Sequence, residues 1–165
     1  MQKQLYLILH NIRSVHNVAS IFRTADGAGA RKIYLTGYTP KPIDEFGKIR
    51  NDFKKISLGA EKTIEWEYKK DINKVFEILK KEAIKIKNYR NHIPIVALEQ
   101  TTNSINYKKY IPNFPLAIII GNEVRGIPQN ILNKCDTIIE IPMRGKKESL
   151  NVSVATGIAI YQILS

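Results

Sequence analysis

Three polar stretches of this 165-residue chain, each joined to an apolar run, carry side chains suited to chemistry. Residues 149–157 couple a short polar turn to an apolar helix, and Ser149 and Asn151 there offer hydrogen-bond donors and acceptors at the helix start. Residues 11–27 bring Asn17 and Arg23. A guanidinium stays protonated under ordinary conditions, so Arg23 can hold an anion but is a poor base. The plainer reading pairs it with Asp26, three residues on along the same helix. In residues 118–128 a buried run breaks into a loop holding Glu123 between Gly121 and Gly126, and glycines let a ligand approach the backbone closely.

The elements that must hold these groups are legible from periodicity. An apolar run at 5–9 leads into the polar loop, after which Val18, Ile21, Phe22 and Ala25 recur at helical spacing. Asn17 reads as the cap of that helix, and Gly27 and Gly29 as its end. The C-terminal helix shows a buried stripe of Val152, Ala155, Ile158, Ala159 and residues 161–164. Strand candidates at 5–9, 33–35, 64–68, 95–98, 116–120 and 137–141 alternate with helical segments. Val75, Ile78, Leu79 and 81–86 form the most regular helix, and Pro128 opens a short one to Cys135. The pattern predicts a three-layer α/β domain on a mostly parallel six-stranded sheet, with 37–50 and 100–115 as long functional loops. No internal repeat or low-complexity tract divides the chain, so 1–165 reads as a single domain.

A formal charge of +11 and a pI near 9.7 point to a polyanionic partner, since phosphate contacts supply most sequence-independent affinity for nucleic acid. Lysine runs such as 80–81 and 85–90 also fit the solvated face of a helix. Cys135 is the only cysteine, which excludes an internal disulfide and leaves no zinc-like cluster. No signal peptide or membrane-length apolar run is present, so a cytoplasmic protein without a membrane partner is expected. No G-x-G-x-x-G opens the first helix, which argues against a Rossmann-like nucleotide enzyme.

Taken in order, the three stretches resemble the SpoU (TrmH-like) branch of the SPOUT RNA methyltransferases over nearly the whole chain. The first matches N-x-x-x-x-x-N-x-G-x-x-x-R-T-A from Asn11, the second G-N-E-G-x-G from Gly121, and the third I-P-M-x-G-x-x-x-S-L-N-V-S-V-A from Ile141 to Ala155. Ala19 and Val124 stand where the family has glycine, and the second puts the path of the loop after Glu123 in question.

The resemblance implies a C-terminal trefoil knot whose bends hold S-adenosylmethionine, with Gly121, Ile141 and Leu150 at matching positions and Leu98, Glu99 and Met143 lining the pocket. It implies methyl transfer to a ribose 2′-hydroxyl of tRNA or rRNA, with Arg23 acting there beside Asn17, Ser149 and Asn151; Glu123 would anchor the 11–17 loop or pair with Arg23, or, in the plainer and favoured reading, cap nearby backbone donors. Arg13, Lys48, Arg50, Arg125, Arg144 and Lys146 lie on flanking loops where they would follow an RNA backbone, and no DNA partner is expected. It further implies a homodimer, with the first and last helices across a two-fold axis, acting as a bare catalytic module. The contrasting expectation is a non-catalytic RNA-binding or ribosome-assembly factor on the same fold.

Overall fold

Side-chain alternation along the first strand sets up the two cores of the molecule. In the computed structural model, which describes residues 3–85 and 92–165, β1 spans Leu5–His10. Leu5, Leu7 and Leu9 join one apolar cluster while Tyr6 and Ile8 join another, as the period of two requires. Strands β2 (Lys32–Thr36), β4 (Ile95–Leu98) and β6 (Leu116–Ile120) divide in the same way: Ile33, Leu35, Val96, Ile118 and Ile120 face the first cluster, and Tyr34, Ala97 and Ile119 the second. Strands buried on both faces with near-continuous Leu and Ile are what a parallel sheet covered by helices demands.

The remaining strands are β3 (Glu65–Lys69), β5 (Ile105–Asn106) and β7 (Thr137–Glu140). The order is β3-β2-β1-β6-β4-β7-β5, and every pair is parallel. Helices α1 (Val15–Ala28), α2 (Asn51–Ser57), α3 (Ala60–Thr63) and α6 (Val152–Leu164) contribute to the first cluster. Helices α4 (Ile72–Lys85) and α5 (Gln129–Leu132) cover the other face. The three-layer α/β class is as expected.

Two details differ. The sheet has seven strands, because two residues of the 100–115 loop pair with β7; so short a strand carries no periodicity to read. The stripe of α6 is also rotated from the expected one: Thr156, Ala159, Ile160 and Ile163 are buried, whereas Ile158 and Tyr161 face outward. A helix apolar almost all round has no polar face to betray its orientation. The regular helix expected to reach 86, and the basic run at 85–90, pass outside the described residues from 86 onward.

Helices α1 and α6 run side by side in the same direction, as three contacts along them show. Asn151 bonds Asn17, a Cβ on Gly157 would touch Thr24, and one on Gly27 would touch the Tyr161 hydroxyl. This pairing brings the starts of both helices to the carboxyl ends of the strands, where open α/β sheets place their ligands.

Candidate active site

The loop from β1 to α1 cannot hold itself in place, since it begins with Asn11 in the left-handed region, φ 58°, and leaves the first N–H groups of α1 unpaired within the helix. Ser14 caps α1 by accepting from the Asn17 N–H. The cap is therefore Ser14, and Asn17, expected as the cap, lies buried in the first turn with its side chain free to reach across. Glu123 supplies the remaining acceptors: one carboxylate oxygen takes the Arg13 N–H at 2.9 Å, and the other takes the Ser14 N–H at 3.1 Å and the Asn17 amide at 3.0 Å. Burial alone would push this carboxyl up, but the Arg13 N–H, the Asn17 amide and the Ser14 N–H together hold it below the usual carboxylate range.

The same Asn17 side chain faces α6. Its oxygen accepts from the Asn151 amide at 3.1 Å, while the Asn151 oxygen caps α6 by accepting from Ser153 N–H at 2.8 Å. Glu123, Asn17 and Asn151 thus form one chain of hydrogen bonds that joins all three sequence stretches. Each amide has both ends used, so neither is free to flip.

Beside this chain opens a cleft of about 370 Å³ at the carboxyl ends of β4, β6 and β7. It is lined by Leu98, Glu99, Gly121, Ile141, Met143 and Leu150, and also by Glu123 and Ser149. The volume falls in the range of small-molecule pockets, and the lining mixes apolar side chains with polar groups. Gly121 is a steric necessity, because a Cβ there would lie 2.8 Å from backbone atoms of Gly126 and Ile127. Gly126 takes φ 65°, and Glu99 holds the turn by accepting from the Ile127 N–H at 2.9 Å. Val124 does not adopt positive φ, since the left-handed turn falls at Gly126; its side chain is 77% exposed at the cleft's rim. Ala19 is fully buried in the first core cluster.

Sequence reading passed over Asn122, although it stands between Gly121 and Glu123. Its amide donates to the Asn11 carbonyl and the Tyr38 hydroxyl, and its oxygen accepts from the Val124 and Arg125 N–H groups. An Asn between a turn glycine and an acid is the available signal, since Asn bonds backbone two residues on. Gln100, Val152 and Ala155 also line the cleft unforeseen. Behind the loop, buried His10 bridges Thr36 and Asn11. The Asn11 amide only donates, so Nε2 accepts and Nδ1 carries the hydrogen toward Thr36; burial lowers the pKa of this neutral ring.

Arg23 stands apart. It lies on α1 six residues beyond Asn17, about 9 Å along the axis, exposed and without an ion pair or hydrogen bond to the described residues. Neither the Asp26 pairing nor the Glu123 pairing forms, because Asp26 accepts from the Thr63 hydroxyl and Glu123 is filled by the loop. Ser149 is exposed at the cleft. Arg13, Lys48, Arg125, Arg144 and Lys146 are exposed, whereas Arg50 makes two bonds to Asp52 that occupy its guanidinium. No cluster of metal-binding side chains occurs among the described residues.

A deep parallel sheet with a cleft at its carboxyl edge and three interlocked polar loops defines an α/β enzyme-like fold. The model of the SpoU rRNA Methylase family matches residues 4–161, and the chain belongs to that family. It is 34% identical over 161 residues to the tRNA (guanosine(18)-2'-O)-methyltransferase of Aquifex aeolicus, covering 98% of this chain and 69% of that protein. It is 29% identical over 164 residues to the 23S rRNA (guanosine-2'-O-)-methyltransferase RlmB of Haemophilus influenzae, covering 99% and 60%. The crystal structure of the A. aeolicus TrmH/SpoU tRNA modifying enzyme superposes with a TM-score of 0.79 at 29% identity, over 99% of this chain and 75% of that one. The SpoU methyltransferase AviRb from Streptomyces viridochromogenes, in complex with AdoMet, shares the fold with a TM-score of 0.86 at 20% identity, over 99% and 60%. The chain spans about three-fifths of the length of several curated relatives it matches.

Proposed function

We propose that this protein transfers a methyl group from S-adenosylmethionine to a ribose 2′-hydroxyl of tRNA or rRNA, with residues 1–165 as one catalytic domain. The observation that carries this reading is the hydrogen-bonded chain Glu123–Asn17–Asn151, which fixes the three family motifs around one cleft. Family relatives named as guanosine 2'-O-methyltransferases support it. The residues present suit the cofactor: Leu98, Ile141, Met143 and Leu150 give apolar walls for an adenine, and Gly121 leaves the backbone open to it. When bound, the cofactor supplies an activated methyl on a sulfonium that leaves as a neutral thioether. The trefoil threading implied by the family belongs to the same reading.

The protein's task is then to orient a hydroxyl and bear its developing charge. Holding reactants in line is worth roughly 7–11 kcal/mol, more than a single general base contributes. Asn17, Asn151 and Ser149 supply the orientation, Arg23 binds the neighbouring phosphate and stabilises the forming alkoxide, and the proton leaves to water or phosphate. Exposed Arg13, Lys48, Arg125, Arg144 and Lys146 steer the RNA, with Arg50 contributing once Asp52 releases it. Calorimetry with S-adenosylmethionine, followed by transfer of labelled methyl to total RNA, tests the proposal. Binding plus transfer is the expected result. RNA binding without either would instead favour the assembly-factor reading.

We also propose a homodimer, in the cytoplasm. Val154, Ile158 and Tyr161 form an outward apolar stripe on α6 at spacings of four and three residues, which a two-fold contact would cover. Ile158→Asp is expected to weaken self-association by roughly 30-fold or more, the size of an interface hot spot, while leaving helix content intact. Sedimentation equilibrium reads this directly, and an unchanged dimer would remove α6 from the interface.

A further inference from the structure

Residues 42–50 form a small, well-braced hairpin whose tip holds an aromatic ring out in solvent. Asp44 and Lys48 pair through backbone, Ile43 bridges Ile49, and the Arg50 N–H returns to the Pro42 carbonyl. One Asp44 carboxylate oxygen accepts from both the Phe46 and Lys48 N–H groups, and Gly47 takes the left-handed turn at φ 76°. Phe46 is therefore held at the tip by a tight turn and is 79% exposed. The fold gains nothing from this ring, which touches neither core cluster. Exposed Lys48 follows the ring by two residues, and exposed Lys41 stands at the root of the arm with its ammonium 5.4 Å from the centre of the Tyr68 ring, with Lys54 and Lys55 on the adjoining helix.

The hairpin is joined at its root to the catalytic loops. The Tyr38 N–H donates to the Asn11 side chain, the Tyr38 hydroxyl accepts from Asn122, and Thr39 accepts from the Ile12 N–H. Tyr68 braces the same root by donating to the Gly37 carbonyl. A rigid arm with lysines along it and a bare aromatic at its end has the make-up of a single-strand reader: cations track phosphate, and the ring stacks on a base whose faces are free.

We infer that Phe46 is a base-stacking finger that grips an unpaired nucleobase of the substrate RNA while Lys41 and Lys48 hold its backbone. The inference rests on the RNA-methyltransferase reading and adds to it a preference for looped over paired RNA. An aromatic on an arm fixed to the Asn11 and Asn122 loops would register the RNA relative to the cleft.

The test titrates the full chain, at one salt concentration, with a fluorescein-labelled RNA hairpin bearing an unpaired loop and with a fully paired duplex of the same length. Phe46→Ala is expected to lose roughly 5- to 150-fold in affinity for the looped RNA and little for the duplex. Phe46→Trp is expected to keep the looped-RNA affinity and to show quenched indole fluorescence on binding. Lys48→Ala should weaken both RNAs alike, because phosphate contacts carry no preference. Equal affinity of the wild-type chain and Phe46→Ala for the looped RNA overturns this inference alone, as does an equal loss on both RNAs. A Phe46→Ala protein that dissociates in sedimentation with RNA affinity unchanged also overturns it and makes the ring a protein contact. A wild-type chain that binds S-adenosylmethionine but neither RNA overturns both this inference and the reading beneath it.

Discussion

Replacing Arg23 with Ala should abolish nearly all methyl transfer while leaving the fold and cofactor affinity as they were. The structural half of the expectation follows from position: Arg23 is exposed and makes no ion pair or hydrogen bond to the described residues. Substitutions at such surface sites change stability by no more than about 0.5 kcal/mol. It also lies outside the residues lining the cleft, so calorimetric affinity for S-adenosylmethionine should be unchanged. The catalytic half follows from charge. Removing one preorganised donor from a developing oxyanion costs about 10²–10³-fold, and Arg23 would lose its phosphate contact as well. Arg23→Lys should recover only part of the rate, because an ammonium lacks the planar fork that grips a phosphate oxygen pair. Single-turnover transfer to RNA measures this, and a turnover equal to wild type would end the role assigned to Arg23. An idle guanidinium, unpartnered among the described residues, on the helix that carries Asn17 in its first turn is consistent with a group waiting for an anion from outside.

Much of this site could be read before any coordinates, and the reasons are physical. The strands at 95–98 and 116–120 coincide with their expected bounds, because apolar runs bounded by polar turns have one reading in a covered sheet. The six residues that the family resemblance, and not spacing, placed at a cofactor pocket all line one cleft at the carboxyl ends of the strands. What sequence could not show was which hydrogen bond each polar group makes. Asn17 looks like a cap by spacing, yet Ser14 takes that role and releases Asn17 to bridge Glu123 and Asn151, partners more than a hundred residues away. Asn122 is hard to place for the same reason: two of its four bonds reach Asn11 and Tyr38, 111 and 84 residues away, and leave no periodic trace. The α6 stripe was misassigned because Ile and Tyr on an apolar helix suit both a core and an interface. Nor does spacing tell a free Arg23 from one held by Asp26, since the outcome depends on Thr63 arriving from another helix.

Glu123→Gln should uncouple the three loops, and its pH dependence distinguishes a structural clamp from a proton-transfer group. In the wild type, two carboxylate oxygens accept three N–H donors, and a Gln offers only one oxygen. Either the Arg13 N–H or the Ser14 and Asn17 pair then faces an NH₂ group. An unsatisfied donor costs about 1–3 kcal/mol, and the low end applies if the amide turns toward Arg13, whose N–H can reach water. Asn17 loses its orientation with the clamp, and Asn151 with Asn17, so transfer should fall further than stability does. The sign with pH is fixed by the direction of the shift. A carboxyl held below its ordinary value of 4.5 stabilises the fold fully above that value and loses its contribution as pH falls from there through the lowered pKa. Urea midpoints should thus differ between wild type and Glu123→Gln at neutral pH and converge below about pH 4.5, while the difference in transfer rate stays level from pH 6 to 8. A gap in stability that persists unchanged into acid would mean that Glu123 is not ionised in its clamp. A rate that titrates with Glu123 near neutrality would make it an acid or base in the reaction, which three donors aimed at an ionised carboxylate argue against.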